Sequence, residues 1–526
     1  MTRRASATAA VALLAVVVAA ASGLASRGLE AASPTSEVRI FAPAPLSIDP
    51  AIQGDSSSSA VTAQLFESLT AFDSTLTLRP ALARAWDVLD GGRRVVFHLR
   101  TGAAFSDGTP LTAGDVVRSW LRVIDPARPS PLANLLDDVV GAEAYRLKAG
   151  GDPASVGLHA DGLDLTVNLV RPAADFPSVV SSPTFGVVPV AIVSDPSAVQ
   201  PGRFVGSGGY ILAANTKTEL TLTANARYWA GPPAIATVHL VTDVGGQSPV
   251  SVFEAGDLDY APIGGFDASW IQYDRTLGPQ LRSVPTLSVQ YLGFDTSRPP
   301  FDDVRVRRAF GAAVDWQRIV NLGGAGIEIA ATSMIPPGIE GRSSTNFLPS
   351  HDPAAARSLL AEAGYPGGKG FPAIDFVSDG APFAAAIRAD LKRELGISVG
   401  EETLPSADFF RRLATEPPPI WALGWIADYP GPNDFLGILL RTGSTNDYGR
   451  WSSPEFDSAI SKAGASTDQA AIAAAFDQAQ AVVQRDVPVV PLAYSTEWAL
   501  SRQGLLGAGG NGLGFIRLAG LAWSGK

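Results

Sequence analysis

The stretch LRPALARAWDVLDGGRRVVFHLRTGAAFSDGTPLTAGDVVRSWLRVIDP, Leu78–Pro126, holds the clearest local code in the chain. Val95, Phe97 and Leu99 alternate with Arg94, His98 and Arg100, the period of a strand with one face in a core. Beyond a polar turn, Thr112 and Asp115 form a capping box ahead of Val116, Val117, Trp120 and Leu121, which predicts an amphipathic helix. A strand passed directly to a capped helix predicts a mixed α/β architecture.

The same alternation recurs outward from this stretch. Leu163, Leu165, Val167 and Leu169 alternate with polar residues, as do Leu220 and Leu222 with Glu219, Thr221 and Thr223. Asp352 precedes Pro353, with Gly364 beyond, and these residues punctuate a helix. Phe383, Ile387, Leu391 and Leu395 form an apolar stripe stopped by Gly396, and Ile472, Phe476, Ala479 and Val483 form another. The 53 Gly and 40 Pro are spread along the chain and mark no single linker.

The 526 residues correspond to about three to four domain-sized units. A hydrophobic fraction of 46% excludes a wholly disordered chain. The net charge of −11 argues against nucleic acid as a partner, because phosphate binding needs clustered Lys and Arg. The absence of cysteine excludes disulfides, thiolate metal sites and a Cys nucleophile. His98, His159, His239 and His351 are too far apart in sequence to suggest a metal site. Arg3 and Arg4, an Ala/Val/Leu run from Ala9 to Ala21, and small residues from Ser22 onward read as a secretory signal segment. Residues 1–32 are assigned to this leader, the rest being an exported body; an uncleaved membrane tether is the alternative.

Motifs of catalysis and cofactor binding fail. Gly507, Gly509 and Gly512 satisfy G-x-G-x-x-G, but too little chain follows for a β-α-β unit, so a surface turn is expected. Gly370 stands where a phosphate-binding loop needs Ser or Thr, and Val205 breaks a nucleophile elbow at Ser207. No catalytic residue, cofactor or metal is assigned, and the chain is not expected to be an enzyme. The Asp302, Asp303, Arg305, Arg307 and Arg308 cluster reads as a solvated helix start.

Seven segments, in order, resemble one family. They are IDPAI (Ile48–Ile52), LFESLTAFD (Leu65–Asp73), the opening stretch Leu78–Pro126, FVGSGGYIL (Phe204–Leu212), LTANARYWAG (Leu222–Gly231), PPFDDVRVRRAFGAAVD (Pro299–Asp315) and LGWIADYPGPNDFL (Leu423–Leu436). Their spacing resembles the extracytoplasmic solute-binding proteins of peptide/nickel-type ABC importers, family 5, and SPLANLLDDVVGAEAY (Ser130–Tyr145) leans toward the oligopeptide-binding branch. The resemblance implies a type II periplasmic-binding-protein fold of class α/β, with two lobes joined by hinge strands and an extra inserted domain. One lobe would combine 33–66, 200–282 and 497–526; the extra domain would be 67–199 and the second lobe 283–496.

The resemblance also implies a monomeric, extracytoplasmic receptor that passes peptides to the permease and ATPase subunits of an ABC transporter. An oligosaccharide or chelated metal is the alternative ligand, and a secreted hydrolase the alternative function. In the family, the Asp of the G-W-x-x-D-Y motif, here Asp428, meets a ligand ammonium. Gly424, Trp425 and Ile426 match backbone positions that pair with an extended peptide, and Asp55, Ser56 and Ser57 match a facing strand of the other lobe. Gly324 stands where relatives often carry Lys, and no residue is assigned to the ligand's carboxylate.

Overall fold

The computed structural model describes residues 36–525, apart from 129, 148–150, 174, 323–327, 382 and 467. The leader and Gly324 lie outside the described residues. One path of hydrogen-bonded strands runs through most of the molecule. Its order is Gly400–Thr403, Asp375–Ser378, Ile420–Ile426, Ser288–Phe294, Val489–Ser501, Tyr260–Ile263, Glu37–Phe41, Thr237–Val241, Glu219–Ala224 and Tyr210–Asn215.

Val489–Ser501 belongs to both halves of this path. Its first residues pair with Ser288–Phe294, and its last pair with Leu281–Pro285 and Tyr260–Ile263. Pro491 has no N–H to give the ladder, and the register slips beside it, between Gln290 and Tyr291. The chain therefore passes between the halves along two antiparallel segments, around Thr286 and around Ser495. There the Thr286 N–H donates to the Ser495 carbonyl at 3.0 Å and the Leu287 N–H to the Gly512 carbonyl at 2.7 Å.

A separate antiparallel sheet, ordered Ala83–Leu89, Arg94–Leu99, Asp164–Asn168, Leu158–Asp161, contains the strand that opened the sequence reading. The helix Ala113–Val123 covers it, started by the expected capping box: Asp115 Oδ2 accepts from the Thr112 N–H at 2.9 Å and from its Oγ1 at 2.7 Å. Trp120, fully buried, lies 5.5–6.3 Å, centroid to centroid, from the rings of Phe97, Phe176 and Phe185. A Trp→Ala change in such a core costs about 3–5 kcal/mol.

The apolar stripes expected of Ala384–Leu395 and Gln469–Asp486 face cores, Asp352 caps the helix Pro353–Glu362 and Gly396 ends Ala384–Leu395 as expected. The Asp302–Arg308 cluster is not uniformly solvated. Arg307 is 5% exposed and donates to the carbonyls of Phe301, Asp486 and Val487. Backbone carbonyls at the end of a neighbouring helix replace its water, a partner that charge patterning along the sequence does not reveal.

Candidate functional site

Between the halves lies a cavity of about 780 Å³. Gly424, Trp425, Ile426, Ala427 and Asp428 form one wall, and Gly54, Asp55, Ser56 and Ser57 stand among the residues opposite. All seven residues singled out in the sequence line this one space.

The strand Ile420–Ile426 is positioned by its neighbours. On one side it pairs with Ser288–Phe294 along its whole length; on the other, pairing with Asp375–Ser378 stops at Trp421. From Ala422 to Ile426 that second edge has no strand partner among the described residues. Gly424 is exposed there, and a Cβ built on it would meet nothing. An unpaired edge facing a cavity offers N–H and C=O groups to an added strand.

Asp428 follows at the strand's end. It is half-buried, and its Oδ2 is shut off from solvent without a hydrogen-bond partner. Behind it sits Asp434, fully buried, whose Oδ2 accepts the Trp425 indole N–H at 3.0 Å and the Asp428 backbone N–H at 3.2 Å. Burial pushes both carboxyls up, Asp428 to about 7 and Asp434 well above the usual range, the latter also by repulsion from Asp428. Both donors fall on Asp434 Oδ2, while its Oδ1 has no hydrogen-bond partner among the described residues. Asp434 thus fixes the Trp425 ring and the start of the Asp428 loop. Trp425 is half-buried and lines the cavity while its N–H is tethered inward.

The opposite wall differs from the expected facing strand. Asp55 is the N-cap of the helix Ser56–Leu65, its carboxylate accepting the Ser58 N–H at 2.9 Å and the Ser58 hydroxyl at 2.5 Å; Ser56 and Ser57 form the first turn. An Asp followed by four serines favours a capped helix start over a strand. Cap bonding occupies the Asp55 carboxylate.

Sequence reasoning missed a third wall: Asn511, Leu513, Phe515 and Arg517. They lie at and just beyond the end of the glycine-rich motif expected to be a surface turn. Gly512 is instead buried with φ +87°, at the passage between the halves, where an added Cβ would meet the Pro285 carbonyl at 2.9 Å. Arg517 is the one cationic side chain among the described lining residues, and it pairs with Glu67 at 3.4 Å. No local pattern flags it, because its neighbours in space are some 450 residues away along the chain.

The halves also touch beside the cavity. Tyr429 and Ile438 are buried in the same apolar core as Phe97 and Trp120, and Asn134 Nδ2 donates to Ser444 Oγ at 3.2 Å. Among the described residues no group of His, Asp and Glu could hold a metal ion, and no helix is long and apolar enough to cross a membrane.

The profile of bacterial extracellular solute-binding proteins, family 5 Middle, matches residues 77–447. The chain is 29% identical over 464 residues to the "Probable deoxycholate-binding periplasmic protein YgiS" of Escherichia coli, covering 86% of each chain. It is 29% identical over 455 residues to the periplasmic oligopeptide-binding protein OppA of Escherichia coli, covering 83% of this chain and 82% of OppA. The solved structure of the Escherichia coli murein tripeptide binding protein MppA superposes with a TM-score of 0.83 at 25% identity, covering 93% of this chain and 98% of that one. An unliganded open form of MppA gives a TM-score of 0.70 at 24% identity, covering 93% of this chain and 98% of that one. The architecture is thus the type II periplasmic-binding-protein fold, and the chain belongs to the bacterial extracellular solute-binding proteins of family 5.

Proposed function

We propose that this protein is an exported receptor that captures peptides between its two lobes and hands them to the permease and ATPase subunits of an ABC importer. One observation carries the peptide reading: a strand edge, Ala422–Ile426, unpaired among the described residues, leads to Asp428, whose Oδ2 has no partner among them. The edge suits an extended main chain, and the carboxylate suits its terminal ammonium. Arg517 is the group we assign to the ligand's carboxylate. Residues 33–66, 200–282 and 497–526 form one lobe, carrying 67–199, and 283–496 form the other; the segments at Thr286 and Ser495 act as the hinge. The protein works as an extracytoplasmic monomer and binds without turnover.

The likeness to a deoxycholate-binding protein supports a second reading, an amphipathic carboxylic acid as ligand. The lining charges oppose it: Asp55, Asp379 and Asp428 stand against Arg517 alone. Titration calorimetry with tripeptides and with deoxycholate separates the two. Tripeptide binding with no deoxycholate heat is expected; the reverse result overturns the peptide reading.

A further inference from the structure

Next to the cavity lies a second recess, an annex of about 400 Å³ beside the hinge. Gly424, Trp425, Ile426, Asp379 and Phe410 line both spaces, so the two adjoin along one wall. Asp428 lines only the larger space and Glu497 only the annex.

The annex has a one-sided charge. Its charged lining groups are Glu497 and Asp379, and among the described residues no Lys or Arg lines it. Asp379 is exposed and accepts the Ser406 hydroxyl at 2.8 Å. Glu497 is half-buried on the crossing strand and accepts no hydrogen bond or ion pair from the described residues. Burial pushes its carboxyl above the ordinary value. Ser288, 4% exposed and just past the hinge segment at Thr286, also lines the annex, and its Oγ has no partner among the described residues. A carboxylate and a hydroxyl left without donors in a recess are costly unless a ligand supplies those donors. Apolar side chains, Phe376 and Leu492 among them, would cover an alkyl stem.

We propose that the annex is a subsite for a basic side chain of the ligand, with Glu497 as its anionic partner and specificity-determining residue. The reading rests on the peptide function proposed above. The favoured ligand class is a peptide bearing Lys or Arg: its terminal ammonium lies at Asp428, its stem passes Trp425, and its side-chain cation reaches Glu497. A single acidic site would favour any cationic end. Two carboxylates without partners among the described residues, one in each of two adjoining spaces, select a ligand with two cationic groups.

Calorimetry on the full chain with tripeptides carrying Lys, norleucine or Glu at each position tests this. Norleucine keeps most of the stem and removes the charge. At one position Lys should tighten Kd roughly tenfold or more over norleucine, and Glu should weaken it. In Glu497→Gln the Lys advantage should vanish while the norleucine peptide keeps its wild-type affinity. The wild-type panel decides on its own: norleucine matching Lys at every position overturns the annex assignment and leaves the peptide reading standing. A Lys advantage that survives in Glu497→Gln overturns the role of Glu497. Failure of every peptide to bind overturns the peptide reading and the annex with it.

Discussion

Asp428 is held where its charge is hard to keep. It is poorly hydrated, unpartnered at Oδ2, and backed by a second carboxyl. A ligand ammonium supplies the missing partner, so binding and ionisation are linked. Below about pH 7 the ligand must displace a proton from Asp428, and peptide affinity should fall by up to about tenfold per pH unit. Above about pH 8 the peptide's own amine loses its proton, so affinity should peak between these limits. Calorimetry across that range checks this, and Asp428→Asn should remove the acid limb. At the other end, Arg517→Gln should weaken a free-carboxylate tripeptide more than its C-terminal amide, by roughly tenfold. The residue scale also marks the limit of sequence legibility. Asp428 and Trp425 stand in a short contiguous motif and could be named; Asp434 lies in that same segment, yet its hydrogen bond to Trp425 depends on how the loop folds back. Arg517 and Glu497 reach the ligand space only through pairings hundreds of residues apart.

At the scale of elements, local patterning was legible wherever local physics dominates. The strand Arg94–Leu99, the capped helix Ala113–Val123 and the Asp352 cap follow from alternation and capping alone. The facing segment Asp55–Ser57 was misread because family likeness suggested a strand while its own residues specify a cap. The glycine-rich turn near Gly512 was misplaced because burial there depends on the hinge strands, which no window around it contains. The free edge at Gly424 makes an element-level prediction. The Cβ added by Gly424→Val meets nothing within 4 Å beyond its chain neighbours, so the melting temperature should stay within about 2 °C of wild type. The added side chain would occupy ligand space, so peptide binding should be lost. Circular dichroism melting and calorimetry on the same variant read the two effects apart.

For the whole molecule, buried carboxyls in and behind the cavity make ligand-free stability depend on pH. The carboxyls of Asp428, Asp434 and Asp447 are all raised, Asp447 to about 8, chiefly by burial. From about pH 5 to about pH 8 the folded protein holds protons there that the unfolded chain has released, so stability falls as pH rises. His98 acts in the same sense. Its bonds to Asp87 and Asp164 raise its pKa from 6.5, and that stabilisation, complete below 6.5, is lost as pH climbs through the raised value. Carboxylates held low, such as Asp73, are ionised throughout this window and do not alter the trend. Melting curves of ligand-free protein should therefore show a falling midpoint over that range, and a bound cationic peptide should flatten the fall. The central claim is that the cleft holds a peptide by its terminal ammonium at Asp428. The most direct test is calorimetry of wild-type protein with one tripeptide, free and N-acetylated, near pH 7.5. The account predicts at least about a hundredfold weaker binding of the acetylated form; equal affinity for the two would contradict it.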